Sequence, residues 1–260
     1  MIKKALVTGS AHGIGRAIAL DLARQGFDVA FHYLNSASAA QEACREATET
    51  YGIKAISLSA DITQPEQAKQ LVNTAAQELG GLSVVVNNVG NYIYKPIREV
   101  SNEEWHYLLD SNLHATIYVT QAALPHLQAA RGGRVVNFAF ASAQHVVAHK
   151  FNGAYAVAKT GIILYSKSLA KEVIAEGITV NVVSPGAAEN TVGLEDTIPL
   201  IPAQRPAKLT EICHAVSFFV SPDSGYITGQ VLEVAGGLRL WFFELTSIDL
   251  SFPKCFTSLQ

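Results

Sequence analysis

A phenol and an amine stand four residues apart near the middle of the chain. They are Tyr155 and Lys159, in the segment Ser142 to Lys159 that reads S-A-Q-H-V-V-A-H-K-F-N-G-A-Y-A-V-A-K. In a helix the two would share a face, one turn from each other. An ammonium beside a phenol favours the phenolate, so the pair predicts a Tyr155 pKa below that of free tyrosine. That would make the phenol a usable proton donor and acceptor nearer neutral pH. Ser142 lies thirteen residues before Tyr155, where a glycine- and apolar-rich run would end a strand. The plainer reading is an ordinary amphipathic helix pair, and Y-x-x-x-K alone is a weak motif.

The beginning of the chain supplies the missing context. Ile2 to Thr8 reads as a short buried strand, and T-G-S-A-H-G-I-G, Thr8 to Gly15, follows it. A helical pattern comes next, with Ile14, Ile18 and Leu22 apolar. Strand, glycine turn and helix in that order is what a phosphate-binding turn requires. Glycines let the backbone approach a pyrophosphate, and a helix N-terminus offers free N–H groups and the positive end of its dipole. The alternative is a plain glycine-rich turn between strand and helix.

The glycine spacing is G-x-x-x-G-x-G, at Gly9, Gly13 and Gly15. With Tyr155 and Lys159 it resembles the short-chain dehydrogenase/reductase family, whose nucleotide turn is T-G-x-x-x-G-x-G and whose active site is Ser, Tyr-x-x-x-Lys and an upstream Asn. The resemblance covers about residues 1 to 238. It implies a single-domain, Rossmann-like, doubly wound α/β fold, with a seven-stranded parallel sheet flanked by helices in the order 3-2-1-4-5-6-7. It implies Asn112, Ser142, Tyr155 and Lys159 as the catalytic set. Tyr155 would protonate the developing alkoxide and Ser142 would hydrogen-bond the same oxygen. Lys159 would lower the phenol's pKa and hold the nicotinamide ribose, and Asn112 would hold a water continuing the proton relay. The cofactor-binding set it implies is Gly9, His12, Gly13, Ile14, Gly15, Asn35, Ser36, Asp61, Ile62, Asn88, Gly90, Tyr155, Lys159, Pro185, Gly186 and Asn190. No metal site is expected.

Phe27 to Leu34 reads as the second strand. An NAD-binding enzyme usually ends it with an acid that takes the ribose hydroxyls. Here the end is H-Y-L-N-S, His32 to Ser36, with no acid and hence no charge to repel a 2′-phosphate. Asn35 and Ser36 could donate to that phosphate, and His12 sits where NADP-using relatives often carry Arg. NADP(H) is therefore expected in preference to NAD(H), although no Arg or Lys stands at either place. Asn35 and Ser36 also read as a helix N-cap, opening an alanine-rich helix from Ser36 to Thr50. Ile53 to Leu58 is the third strand, and Asp61-Ile62 after it matches the family's acidic adenine contact. Thr63-Gln-Pro-Glu66 reads as a capping box. Leu82 to Asn87 is the fourth strand and runs into N-N-V-G, where relatives usually have N-N-A-G. The asparagines are expected to tie this strand to its neighbours, Gly90 to leave room for the cofactor, and Val89 to tighten the adenosine-side wall.

Ser101-Asn-Glu-Glu104 is a second capping box, opening a helical region to about Ala130. By the resemblance, the carbonyl of Asn112 disturbs this helix. Its apolar stripe Leu109, Leu113, Ile117 and Leu124 suits a subunit interface. The fifth strand, Gly132 to Phe138, departs from the family. Relatives continue N-I-S-S, with Ser three residues after Asn, whereas Asn137 here is followed by F-A-F-A-S and Phe140 stands at that place. Ser142 is chosen because it keeps the usual interval to Tyr155. The two extra residues should be absorbed as a bulge or a longer strand end. Phe138 and Phe140 could instead line an aromatic substrate pocket. Asn152 to Ala175 is the helix carrying Tyr155, and Gly161 inside it signals close packing. Ile178 to Ser184 is the sixth strand. Pro185-Gly186 should flank the nicotinamide, and Asn190, where relatives have Thr or Ser, could bond its carboxamide. Residues 187 to 208, with Pro199, Pro202 and Pro206, read as a lid. Leu209 to Val220 is a helix and Tyr226 to Val234 the last strand.

Of the 260 residues, 49% are hydrophobic and 16% charged, below the roughly 25% charge usual in soluble domains. A chain of that make-up can bury a large core and have apolar surface left for contacts between subunits. Its net charge of −3 gives no footing for a nucleic-acid partner. Cys44, Cys213 and Cys255 form neither a metal pattern nor a disulfide framework. No secretory leader pattern and no apolar run long enough for a membrane span stands out, so a cytoplasmic protein without a membrane partner is expected. Residues 239–260 read as an extension with no family counterpart. The expected activity is NADPH-dependent reduction of a carbonyl, by likeness to the β-ketoacyl-acyl-carrier-protein reductases, on a small-molecule or acyl-carrier-bound substrate. H-Y-L-N-S and the phenylalanines also resemble pteridine reductases, whose flat substrate stacks on an aromatic ring. A catalytically silent relative that senses NADP(H) is the third reading. The acyl-carrier reading predicts a basic patch at the mouth, for which Arg131, Arg134 and Lys150 are candidates. A homotetramer or homodimer is expected.

Overall fold

The computed structural model describes residues 2–191 and 193–238. The expected extension 239–260, with Cys255, lies outside them. In chain order the elements are β1 (Lys4–Val7), α1 (Gly13–Arg24), β2 (Asp28–Tyr33), α2 (Ala37–Tyr51), β3 (Ala55–Ser59), α3 (Pro65–Leu79) and β4 (Val84–Asn87). There follow α4 (Asn102–Leu109), a π-helical turn (Asp110–His114), α5 (Ala115–Ala129), β5 (Arg134–Phe138), α6 (Gly153–Val173) and β6 (Thr179–Pro185). The described chain ends with α7 (Leu194–Thr197), α8 (Leu209–Val220) and β7 (Val231–Val234).

The seven strands form one parallel sheet in the order β3-β2-β1-β4-β5-β6-β7, as the resemblance implied. A parallel sheet covered on both faces needs apolar residues at successive positions, and Ala5 to Val7 and Val84 to Val86 supply them, all fully buried. One core packs Ile18 and Leu22 of α1 with Ile212, Val216 and Phe219 of α8. The other packs Leu71 of α3 with Val119 and Leu127 of α5 and Leu169 of α6. Strand order reverses between β1 and β4, so a crevice opens beyond their carboxyl ends. The glycine turn after β1 and the N-N-V-G segment after β4 emerge there.

Several boundaries differ from the sequence reading. The last strand is only Val231–Val234, because Gly229 turns with φ +69° and bonds Val180 O through its amide. The helical region after Ser101 does run to Ala129, with the π-helical turn inside it where a disturbance was expected. Residues 187–208 contain α7 and are pinned at their base by a bridge between Ala188 and Ala207.

The two expected capping boxes part ways. Ser101 caps α4, its Oγ accepting from Glu104 N at 3.3 Å while Glu104 Oε2 accepts from Ser101 N at 2.8 Å. Thr63 does not cap α3, because Pro65 sets the first helical position and makes Gln64 the N-cap. The Thr63 hydroxyl instead donates to Asp61 Oδ1 at 2.6 Å. Ser101→Ala is therefore expected to lower the unfolding free energy by about 1 kcal/mol. Thr63→Ala, with no cap to lose, should cost clearly less. Urea denaturation of both variants checks this, and equal losses would contradict the capping assignment.

Candidate active site

The glycine turn is built by close approach. Gly9 and Gly13 have φ of +61° and +54°, in the left-handed region where side chains are strained. A Cβ on Gly15 would stand 2.3 Å from Gly9 O and 2.6 Å from Asn88 Nδ2. Asn88 clamps the turn from β4. Its backbone N–H donates to Thr8 Oγ1 at 3.0 Å and its Nδ2 to Thr8 O and Gly9 O at 3.2 and 3.3 Å. Val89, the departure from the usual alanine, presses on the same turn, its Cγ2 2.9 Å from where a Gly9 Cβ would lie. His12 is the exposed N-cap of α1 and makes no side-chain cap bond. Ile14 packs on the core. Asn190, expected at the carboxamide, has its Nδ2 2.9 Å from the place of a Gly13 Cβ, so it reaches the glycine turn.

The other residues expected at a cofactor follow β2 and β3 or stand at the end of β6. Asn35 is exposed, and Ser36 caps α2 without spending its hydroxyl on the helix. Asp61 Oδ1 accepts from Thr63 N at 3.0 Å, and Ile62 is buried in the core. Pro185 O receives Ala141 N at 2.9 Å, and Gly186 packs against Ala235 so closely that a Cβ would meet its Cα at 3.1 Å.

Across the crevice, α6 presents Tyr155 and Lys159. Lys159 is buried; its Nζ donates to Phe138 O at 2.9 Å and lies 5.6 Å from the centroid of the Tyr155 ring. Gly90 is where two polar heads meet: a Cβ there would stand 2.3 Å from Asn112 Oδ1 and 2.8 Å from Lys159 Nζ. Asn112 sits in the π-helical turn, so the expected disturbance of the helix is present. Its Nδ2 donates to Asn91 O and Leu108 O, each at 2.9 Å, and its own carbonyl accepts from Thr116 Oγ1 at 2.7 Å. Asn112 Oδ1 is buried with no hydrogen-bond partner, a condition that costs about 1–3 kcal/mol.

The electrostatics differ from the sequence expectation. Burial, with a smaller contribution from Tyr92, pushes the Tyr155 phenol up rather than down. Burial also pulls the Lys159 ammonium down to about 7. Desolvation penalises both charged forms, and the lysine spends its proton on a backbone carbonyl instead of the phenolate. Tyr155 thus keeps its proton at neutral pH.

Ser142 is fully buried, with φ +73°. Its backbone N–H donates to Glu233 Oε1 at 2.7 Å, and its Oγ has no hydrogen-bond partner. The two extra residues lengthen the strand end, since Ala139 N and Ala141 N continue the bonding to Val183 O and Pro185 O before the turn at Ser142. Against Tyr155 the structure places Phe140, with ring centroids 5.4 Å apart, and Tyr92 edge-on at 4.9 Å. Phe138 is buried in the core, and its carbonyl holds Lys159. The sequence reading missed Tyr92, Tyr94, Phe151 and Glu233. The tyrosines just past N-N-V-G were a legible signal; Glu233, 91 residues from Ser142, had none.

The three candidates for the expected basic patch do not stand together. Arg134 opens β5 at the end of the sheet opposite the site and is buried, with Nη1 donating to Gly133 O at 3.0 Å. Arg131 lies three residues before it, which leaves only Lys150 on the site side. Among the described residues no cluster of three or more His, Cys, Asp or Glu gathers, and no helix is long and apolar enough to cross a membrane.

The lysine's displacement has a measurable consequence. A folded-state pKa near 7, below lysine's ordinary value, means that the unfolded chain binds the proton the folded chain releases between about pH 7 and 10. Stability from this site therefore rises with pH across that window and is lost as pH falls towards 7. Wild type should gain on Lys159→Met by about 1–3 kcal/mol between pH 7 and 9.5. Urea denaturation at the two pH values measures the gap, and a gap that stays constant would refute the buried, displaced ammonium.

Comparison with known proteins bears on the family and the fold. The family model described as enoyl-(acyl carrier protein) reductase matches residues 9–239. The chain is 34% identical over 247 residues to the 3-oxoacyl-[acyl-carrier-protein] reductase FabG of Staphylococcus aureus strain Mu50, covering 92% of this chain and 99% of that one. A short chain dehydrogenase from Burkholderia cenocepacia, solved in complex with NADP, superposes with a TM-score of 0.85 at 32% identity, covering 91% of this chain and 97% of the other. A blue fluorescent protein from a metagenomic library, solved with NADPH, gives 0.85 at 31% identity over 91% of this chain and 98% of the other. The glycine turn, the Tyr155–Lys159 face of α6 and a match that runs through nearly all the described residues lead to one assignment: this chain belongs to the short-chain dehydrogenase/reductase family of oxidoreductases.

Proposed function

We propose that this protein reduces a carbonyl group to an alcohol with NADPH as the reductant. The observation that carries the reading is the meeting of Asn112 Oδ1 and Lys159 Nζ over Gly90, beside a protonated Tyr155 and across the crevice from the glycine turn. A dinucleotide fits the residues present. Gly9 and Gly13 hold the turn in left-handed backbone that side chains strain, and the N-terminus of α1 behind it carries no capping side chain, so its N–H groups are left for an anion. Gly9, Gly13 and Gly15 would hold the phosphates, Asp61 the adenine side, and Lys159 the nicotinamide ribose. Asn35, Ser36 and His12 would receive a 2′-phosphate, which no carboxylate at the end of β2 opposes. Two of the structural neighbours were solved with NADP or NADPH, which supports that choice over NAD(H).

When bound, the dinucleotide supplies the hydride that the carbonyl carbon accepts. Tyr155 supplies the proton: its raised pKa keeps the phenol charged with a proton at neutral pH, ready for the oxygen as negative charge develops. Lys159 then lies near enough to stabilise the phenolate left behind. Asn112 Oδ1, buried and unspent, would accept a hydrogen bond from a water that carries the proton relay onward from Lys159. Ser142 keeps an unspent hydroxyl at the end of β5, and we assign it the second hydrogen bond to the substrate oxygen. The name of the Staphylococcus aureus relative supports a 3-oxoacyl thioester as substrate.

A second reading has its own support. Tyr92 and Phe140 flank the phenol, and Tyr94 stacks on Phe151 with centroids 5.1 Å apart. Such a wall suits a flat aromatic substrate, a reduced pteridine included. In either case the exposed Val157 and Leu164 on α6 suit burial against a second copy of the chain.

NADPH oxidation with acetoacetyl thioesters, aryl ketones and dihydropteridines decides between the two readings. Tyr155→Phe should lower turnover about 10²–10⁴-fold and leave cofactor binding intact. Ser142→Ala should lower it about 10²-fold. A Tyr155→Phe enzyme that keeps most of its activity would overturn the mechanism.

A further inference from the structure

His32, in β2, is buried to 2% exposure, and both of its ring nitrogens are engaged. Nδ1 accepts the backbone N–H of Gly9 at 3.0 Å, and Nε2 lies 3.0 Å from Ala60 O. Those partners fix the tautomer. A nitrogen that accepts from an amide carries no hydrogen, so Nδ1 is bare and Nε2–H donates to Ala60. The main chain of His32 is tied to the same turn. Ser10 N donates to His32 O at 2.9 Å, His32 N donates to Ser10 Oγ at 3.0 Å, and Ser10 Oγ donates to Val7 O at 2.8 Å. One imidazole therefore joins the glycine turn after β1 to the last residue before Asp61, beyond β3.

We propose that His32 is a positioning residue for the dinucleotide, holding the left-handed Gly9 of the phosphate turn and the Asp61 segment in one fixed relation. This rests on the reading that a nicotinamide dinucleotide sits on that turn. The turn is held from two sides. Asn88 takes its carbonyls from β4, and His32 takes its amide from β2. An apolar side chain would fill the His32 site as well as imidazole does, but it could neither receive Gly9 N–H nor donate to Ala60 O. Both would be left buried and unpaired, and the turn would relax away from the geometry that Gly9 and Gly13 set. Burial lowers the His32 pKa, which keeps the ring in the neutral form that this bonding needs; the Ala60 carbonyl and the Asp61 carboxylate, which favour the charged form, only partly oppose it.

The test is NADP⁺ affinity by isothermal titration calorimetry for wild type, His32→Leu and His32→Gln, with adenosine 2′,5′-bisphosphate as a second probe. Glutamine keeps one acceptor and one donor, so it should bind NADP⁺ within about threefold of wild type, whereas leucine should bind about tenfold or more weakly. The loss should appear equally with the adenosine probe, because His32 acts on that half of the site. Thermal melts establish that each variant is folded. If His32→Leu does not fold, His32→Asn replaces it: its amide is too short to span both partners, so it should fall well below glutamine. A folded His32→Leu that binds NADP⁺ within about twofold of wild type, or glutamine and asparagine variants that bind alike, overturns the proposal. A wild type that binds neither NADP⁺ nor NAD⁺ overturns the cofactor reading and this inference with it.

Discussion

A line of buried amides and hydroxyls holds the two halves of this molecule in register. Asn87 at the end of β4 gives both N–H groups of its side chain away, to Thr120 Oγ1 on α5 at 2.9 Å and to Asn137 Oδ1 on β5 at 2.8 Å. Asn137 Nδ2 donates in turn to Ser166 Oγ on α6 at 2.8 Å, and Ser166 Oγ–H ends the line on Ile162 O at 2.6 Å. Apolar packing would let α6 slide or rotate by a fraction of a turn at little cost. Directional bonds in a low-dielectric interior do not. Tyr155 and Lys159 ride on the same helix, so their position over the crevice follows from this line.

Close approach does the rest. Gly161 on α6 lies so near Leu113 that a Cβ would meet its Cδ2 at 3.1 Å, and this brings α6 up to the π-helical turn that carries Asn112. Gly90 leaves the gap that Asn112 and Lys159 enter, and Gly15 lets α1 pack onto the carbonyl of Gly9. Each of these glycines forgoes a side chain so that a polar head or a backbone can stand where a Cβ would be. Burial among these close-packed elements sets the chemistry of the pair: it holds the proton on the phenol and loosens it from the amine.

The end of β5 shows how a local change is absorbed. Two more residues than the family pattern prolong the bonding along β6, and the chain then turns at Ser142 in a left-handed conformation held by Glu233 from β7. Phe140 in this lengthened end meets the ring of Tyr155 on one side, and Tyr92 from the loop after β4 meets it on the other. The Tyr155–Lys159 pair and the rings beside it are thus positioned separately: the pair by α6 and Gly90, the rings of Tyr92 and Phe140 by the loops after β4 and β5.

The sequence by itself determined the glycine turn and the Tyr155–Lys159 face, because each is encoded in spacings within a few residues; the class of fold and the strand order followed from the family those motifs resemble. It also marked Asn112 and Asn87, whose neighbours in sequence carry a family pattern. Tertiary structure alone decided the protonation of the pair, since desolvation depends on what covers a residue and not on what precedes it. It alone moved Arg134 to the far end of the sheet, gave Phe138 to the core, brought Asn190 to the glycine turn, and joined Ser142 to Glu233 and Gly9 to His32. Those are contacts between strand ends and loops that lie far apart along the chain, and only the packed parallel sheet sets the distances between them.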